Sequence, residues 1–140
     1  GATTSTGTRS SFSNYGDTVE ISAPGGDSDK NSPKILSTTD ESPTVPRSIG
    51  YSDMVGTSQA APHVSGTIAL MLSANPNLNT TEIITILQNT ATPLSTCDQK
   101  SCGAGIVNAA SAVAEASSKS AKPSSKPSAT SGRRTLRLGN

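Results

Sequence analysis

Aromatic residues are almost missing from this chain: its 140 residues hold no Trp, two Tyr and one Phe. Hydrophobic residues of all kinds reach only 31%, a thin supply for a self-sufficient core at this length. No run approaches the roughly 18 apolar residues that cross a bilayer, so no membrane partner is expected. The opening GATTSTGTRS lacks the apolar stretch of a signal peptide. Either the protein is cytosolic or its real N-terminus lies elsewhere. Histidine occurs once and cysteine twice, too few ligands for a zinc site.

The net charge of +1 hides an asymmetry. Residues 117–140 carry Lys119, Lys122, Lys126, Arg133, Arg134 and Arg137 with no acid, whereas the preceding part sets five bases against ten acids. An acidic body and a basic tail are expected. The body's bases are scattered and no aromatic residues interleave them, which argues against a nucleic-acid surface.

Three regions separate by composition. Residues 1–53 read as short strands and loops. Val19-Glu20-Ile21 alternates like a strand and runs into a turn at Ala23-Pro24-Gly25-Gly26. Residues 34–37 are a second strand candidate, and 38–47 read as exposed loop. Residues 57–74 carry apolar positions at helical spacing, at Ala60/Ala61, Val64, Ile68 and Met71/Leu72, with Ala69 and Leu70 widening the face. A helix that apolar is expected to be buried. A second helix is expected over 80–90, with Asn79 and Glu82 as a capping box and Ile83/Ile84, Leu87 and Ala91 as its apolar face. A third should begin near Asn108 and carry Val113 and Ala116. From Ser117 onward the Ser/Lys/Pro-rich sequence has almost nothing to bury and reads as a disordered linker or tail.

Gly56-Thr57-Ser58-Gln59-Ala60-Ala61-Pro62-His63-Val64 resembles the nucleophile segment of the subtilisin-like (S8) peptidases, whose pattern is GTS-x-A-x-P-H-V. Phe12–Gly16 (FSNYG) and Ile21–Gly25 (ISAPG) look like the two family segments that precede it. Leu72–Pro76 (LSANP) and Gly105–Ala110 (GIVNAA) look like the helices that close the domain. The match runs over residues 1–116 in the family's order. It implies an α/β fold, residues 1–116 being the C-terminal portion of a subtilisin-like parallel-sheet domain, followed by the tail at 117–140.

The implied chemistry is peptide-bond hydrolysis through an acyl-enzyme on Ser58. A serine at the first turn of a helix faces the free N–H groups there, its own and that of Thr57, and the helix dipole favours negative charge at that end. Gly56 allows the backbone to approach a bound peptide. From the triplet alone Ser58 reads as an N-cap serine; the flanking segments turn the reading to nucleophile.

His63 is not its base. Five residues along a helix is about 140° around the axis and about 7.5 Å along it, and a base should lie within about 3 Å. His63 is expected to pack and hydrogen-bond under the helix. In subtilisin the order is Asp, His, Ser, so both partners should lie upstream of Gly1, and the isolated chain should be inactive. The alternative is a non-catalytic secreted binding domain that keeps the scaffold.

Cys97 and Cys102 flank a short loop and read as a disulfide worth about 2 kcal/mol, two free thiols being the other reading. A disulfide points to an oxidising compartment, hence secretion. No cofactor is expected for catalysis. Structural calcium is common among relatives, but Asp17, Glu20, Asp27 and Asp29 do not assemble six oxygens, and no metal site is assigned. Gln59 follows the nucleophile where many relatives carry Met, so that position lacks an oxidisable thioether. Asn79-Thr80-Thr81 forms a glycosylation sequon, for which capping is the better reading. The expected partners are a protein or peptide substrate and the upstream part of the same domain.

Overall fold

The computed structural model describes residues 1–40, 49–94, 97 and 102–120. The fold is α/β. Its elements run β1 (Ala2–Thr3), β2 (Ala23–Pro24), β3 (Ile35–Asp40), β4 (Ile49–Met54), α1 (Thr57–Ala74), α2 (Thr80–Thr90) and α3 (Ala109–Ser120).

β1 and β2 pair in parallel, Ala2 opposite Ala23 and Thr3 opposite Pro24. The strand expected at 19–21 lies one step late: Val19 closes a turn onto the Gly16 carbonyl, and only the Ile21 carbonyl joins the ladder, through the Gly1 nitrogen at 2.8 Å. The expected turn at 23–26 begins instead with β2. Ala2 and Ala23 are fully buried, so small side chains, and not alternation, decide where this ladder forms.

β3 and β4 form an antiparallel pair, with Ile35 opposite Met54 and Asp40 opposite Ile49. β3 thus extends through Thr38, Thr39 and Asp40, part of the stretch expected to be loop; the remainder, 41–47, lies outside the described residues. Thr is at home in a strand, and Thr38 and Thr39 find Tyr51 and Gly50 across the ladder. β4 has no clean apolar alternation because its outer face is open, with Ile49 95% and Tyr51 70% exposed.

The three helices fall where their periodicity puts them. α1 and α2 span the expected ranges. α3 runs on to Ser120, past 116, and carries Lys119, which pairs with Glu115 one turn back at 3.9 Å. Such an exposed pair contributes little. Residues 121–140 of the expected tail lie outside the described residues.

Met71 of α1, Ile86 and Leu87 of α2, and Ala112 and Ala116 of α3 close one core with Leu78. Ile86, not Ile84, takes the buried place on α2, and Ile84 is left exposed. Asn75, buried after α1, donates from Nδ2 to the Ala116 carbonyl at 3.3 Å and ties the end of α1 to α3. A second small cluster joins Ala60 of α1 to Ala2 and Ala23.

α1 departs from the expectation of a buried helix. Only Ala60, Thr67 and Met71 are buried. Leu70 is 56% exposed and, with Ser73, Ala74, Ala109, Ala110 and Val113, lines an open apolar groove of about 460 Å³. Among the described residues nothing covers that side, although its composition is that of an interior helix. Among them, too, no helix is long and apolar enough to cross a membrane.

Candidate active site

The parallel ladder delivers the site. Gly25, directly after β2, donates to the Thr3 carbonyl and accepts the Gly56 N–H, both at 2.9 Å. A Cβ at position 25 would sit 2.7 Å from both the Ala2 Cβ and the Gly56 carbonyl oxygen, so only glycine fits between strand and helix. The start of α1 is therefore fixed at the carboxyl end of the parallel strands, where ligand sites of α/β folds lie.

Gly56 is the N-cap of α1, with φ 153° and no side-chain cap. That positive φ suits glycine. Its carbonyl accepts from Gln59 at 3.1 Å and Ala60 at 3.3 Å, the first internal bonds of the helix. Ser58 is thus the second helical residue and not the cap. Its side chain is exposed, and its hydroxyl makes no hydrogen bond among the described residues. The N–H groups of Thr57 and Ser58, which the helix cannot satisfy, are likewise without a partner there. One hydroxyl and two amides stand open at the positive end of an 18-residue helix.

Ser58 and His63 line the same cavity of about 330 Å³, together with Ile35, Leu36, Ser37, Gln59 and Pro62. No hydrogen bond joins the two. His63 Nδ1 pairs with the Gln59 carbonyl at 2.9 Å, one turn back along its own helix. The ring hydrogen-bonds as expected, but it is exposed at the cavity and not packed beneath the helix.

Gln59 ties this turn to the hairpin. Its Nε2 donates to Met54 Sδ at 3.5 Å, and its Oε1 lies over Gly56, where an added Cβ would come within 2.8 Å of it. Position 59 lacks a thioether, yet Met54 brings one beside it. Ile35, Leu36 and Ser37 are site residues that the sequence did not reveal, because only the placement of β3 brings them beside Ser58.

Three of the four acidic side chains weighed for calcium, Asp27, Asp29 and Glu20, are engaged elsewhere. Asp27 accepts from the Ser11 amide at 3.0 Å and the Ser11 hydroxyl at 2.6 Å. Those two bonds, hydroxyl first, hold its carboxyl below the usual carboxylate range. Asp29 accepts from the Asn31 amide and Glu20 from the Gln88 side chain. Among the described residues no three His, Cys, Asp or Glu side chains gather into one cluster. Asn79 accepts from the Glu82 amide at 3.0 Å, which gives it the capping role expected of it. Cys97 and Cys102 form a disulfide, with Cα atoms 6.0 Å apart.

Residues 1–129 match the subtilase family, peptidase S8. The chain belongs to the subtilase family. It is 44% identical over 116 residues to an extracellular protease of Xanthomonas campestris pv. campestris, covering 82% of this chain and 19% of that protein. It is 38% identical over 112 residues to subtilisin BL of Lederbergia lenta, covering 80% and 36%. A solved protease structure from Pseudoalteromonas arctica superposes with a TM-score of 0.75 at 40% identity, over 82% of this chain and 34% of that one. The chain thus spans between a fifth and about a third of these subtilases' length. Both the sequence relatives and the solved structure are proteases.

Proposed function

We propose that this chain supplies the nucleophile part of a secreted subtilisin-like serine endopeptidase. The carrying observation is the open turn at the start of α1: the Ser58 hydroxyl and the Thr57 and Ser58 amides stand unpaired among the described residues beside a cavity. The Ser58 oxygen attacks the scissile carbonyl carbon while its proton passes to a base. The carbonyl oxygen becomes an oxyanion held by the Ser58 N–H, with that of Thr57 beside it. The amine leaves with a proton, and water then hydrolyses the acyl-enzyme. Gly56 lets the peptide backbone approach.

The base is a histidine outside these 140 residues, oriented by an aspartate, in the order Asp, His, Ser. His63 is the only histidine in the chain, and its Nδ1 is committed to its own helix. Catalysis needs no cofactor in this scheme. Secretion is supported by the disulfide and by the extracellular relative.

A fluorophosphonate probe tests the proposal. The full-length protein should be labelled at Ser58, and the 140-residue chain alone should not. Robust labelling of the isolated chain would overturn the external base; labelling of the full protein at another serine would overturn Ser58.

A further inference from the structure

We infer that Ser22 is a positioning residue for the Ser58 turn, held by a latch that the Cys97–Cys102 disulfide anchors; this rests on reading Ser58 as the nucleophile. Ser22 is 2% exposed and fully engaged. Its hydroxyl donates to the Cys102 carbonyl at 2.9 Å. Its N–H donates to the Gly105 carbonyl, and its carbonyl accepts from Val107, both at 2.8 Å. One residue pair further back, Ala104 donates to the Glu20 carbonyl at 3.1 Å. Segment 102–107 therefore runs beside 20–22, joined to it by the parallel bridge between Ser22 and Ile106.

The contact has no slack. Gly103 takes φ 73°, and a Cβ there would fall 2.6 Å from the Glu20 carbonyl carbon. Cys102 is itself 2% exposed, and the Ser22 hydroxyl meets its carbonyl. A buried carbonyl that loses such a partner carries the cost of desolvation, which favours relaxation of the segment that bears it.

What Ser22 holds leads straight to the nucleophile. Ala23 bonds to the Gly1 carbonyl, Pro24 has a fixed φ, and Gly25 accepts the Gly56 N–H. Gly25 is closely packed between Ala2 and Gly56, since one added carbon would collide with both. A displacement at Ser22 therefore passes through three constrained residues to the N-cap of α1. The disulfide fixes Cys102 at one end of this path, and Ser58 stands at the other.

The test uses the full-length protein with Ser22→Ala, Ser22→Thr, the paired Cys97→Ser/Cys102→Ser, and the triple variant with Ser22→Ala. Three readouts apply: the rate of Ser58 labelling by diisopropyl fluorophosphate, kcat and KM on a peptide substrate, and hydrogen exchange at the Gly56 amide. Ser22→Ala and the cysteine pair should each slow labelling by about three- to tenfold. The fall should lie in kcat and not KM, with faster exchange at Gly56 and recovery in Ser22→Thr. The triple variant should be no slower than the slower of the two, because both break one path.

Multiplying effects in the triple variant would overturn the latch. So would a lowered melting temperature with kcat and Gly56 exchange unchanged. Should Ser22→Ala fail to fold, Gly56 exchange in the cysteine variant decides: faster supports the latch, unchanged overturns it. Should the unmodified protein fail to label at Ser58, the nucleophile assignment falls, while Gly56 exchange still decides the latch.

Discussion

α1 and α2 begin in opposite ways. At α2, Asn79 accepts from the Glu82 amide at 3.0 Å and Glu82 accepts from the Asn79 amide at 2.9 Å, so the box closes on itself. At α1, Gly56 has no side chain to cap with, and the Thr57 and Ser58 amides have no partner among the described residues. Any helix start leaves N–H groups to satisfy. A closed box uses them for stability, and an open start leaves them for a ligand. The same chain thus shows a helix start closed by its own side chains and one whose first amides stay unpaired among the described residues.

The largest expected effect separates the two starts by chemistry. Ser58→Ala in the full-length protein should lower kcat by on the order of 10⁶-fold, read with a peptide substrate and by loss of phosphonate labelling. Fold and melting temperature should be unchanged, since Ser58 is exposed. An activity drop of only a few fold would remove the distinction between α1 and α2.

Gly25→Ala should follow. Its Cβ would meet the Gly56 carbonyl oxygen at 2.7 Å, and overpacking of this kind costs about 1–3 kcal/mol. The denaturation midpoint should fall, and labelling of Ser58 should slow with it because the added carbon pushes on the N-cap of α1.

Asn79→Ala should cost about 1 kcal/mol and leave the labelling rate of Ser58 unchanged. Chemical denaturation beside a labelling time course reads both. A change in labelling would mean that the capped start of α2 is also coupled to the site.

The smallest effect is acid-dependent. The Asp27 carboxyl is held below its usual value of 3.8 by Ser11. A lowered folded-state value stabilises the fold above the unfolded value and ceases to do so as pH falls through the folded one. The tie between segments 11 and 27 should therefore loosen only below about pH 4, and Ser11→Ala should flatten that part of a stability–pH curve. Asp27 is only partly covered and its carboxyl reaches solvent, so the change should be small and screened by salt.

The legible parts of this molecule are the local ones. Asn79 and Glu82 announce α2 three residues apart, and the recurrence from Ala60 to Met71 announces α1, because capping and helical periodicity act within one or two turns. The GTSQAAPHV segment and the order of its flanking motifs carried the family. The illegible parts depend on distant partners. β2 is a strand because Ala23 meets Ala2, and β4 is one because Ile35–Asp40 lies beside it; neither has a period of its own. His63 could be separated from Ser58 by helix geometry, but its exposure depends on what covers α1.

The amino-acid sequence by itself determined the helices and the capping box, which follow from short-range spacing, and it carried the family and Ser58 as the nucleophile candidate through the resemblance of its motifs. Only the tertiary structure decided that Gly56, and not Ser58, caps α1, and that Gly25 fixes where α1 starts. It also decided that Ile35, Leu36 and Ser37 of β3 line the site, and that Ser22 binds the disulfide segment. Gly25 and Gly56, β3 and Ser58, and Ser22 and Cys102 lie far apart in the chain, where spacing carries no information and packing sets the distance, while the cap at Gly56 is settled by its backbone conformation.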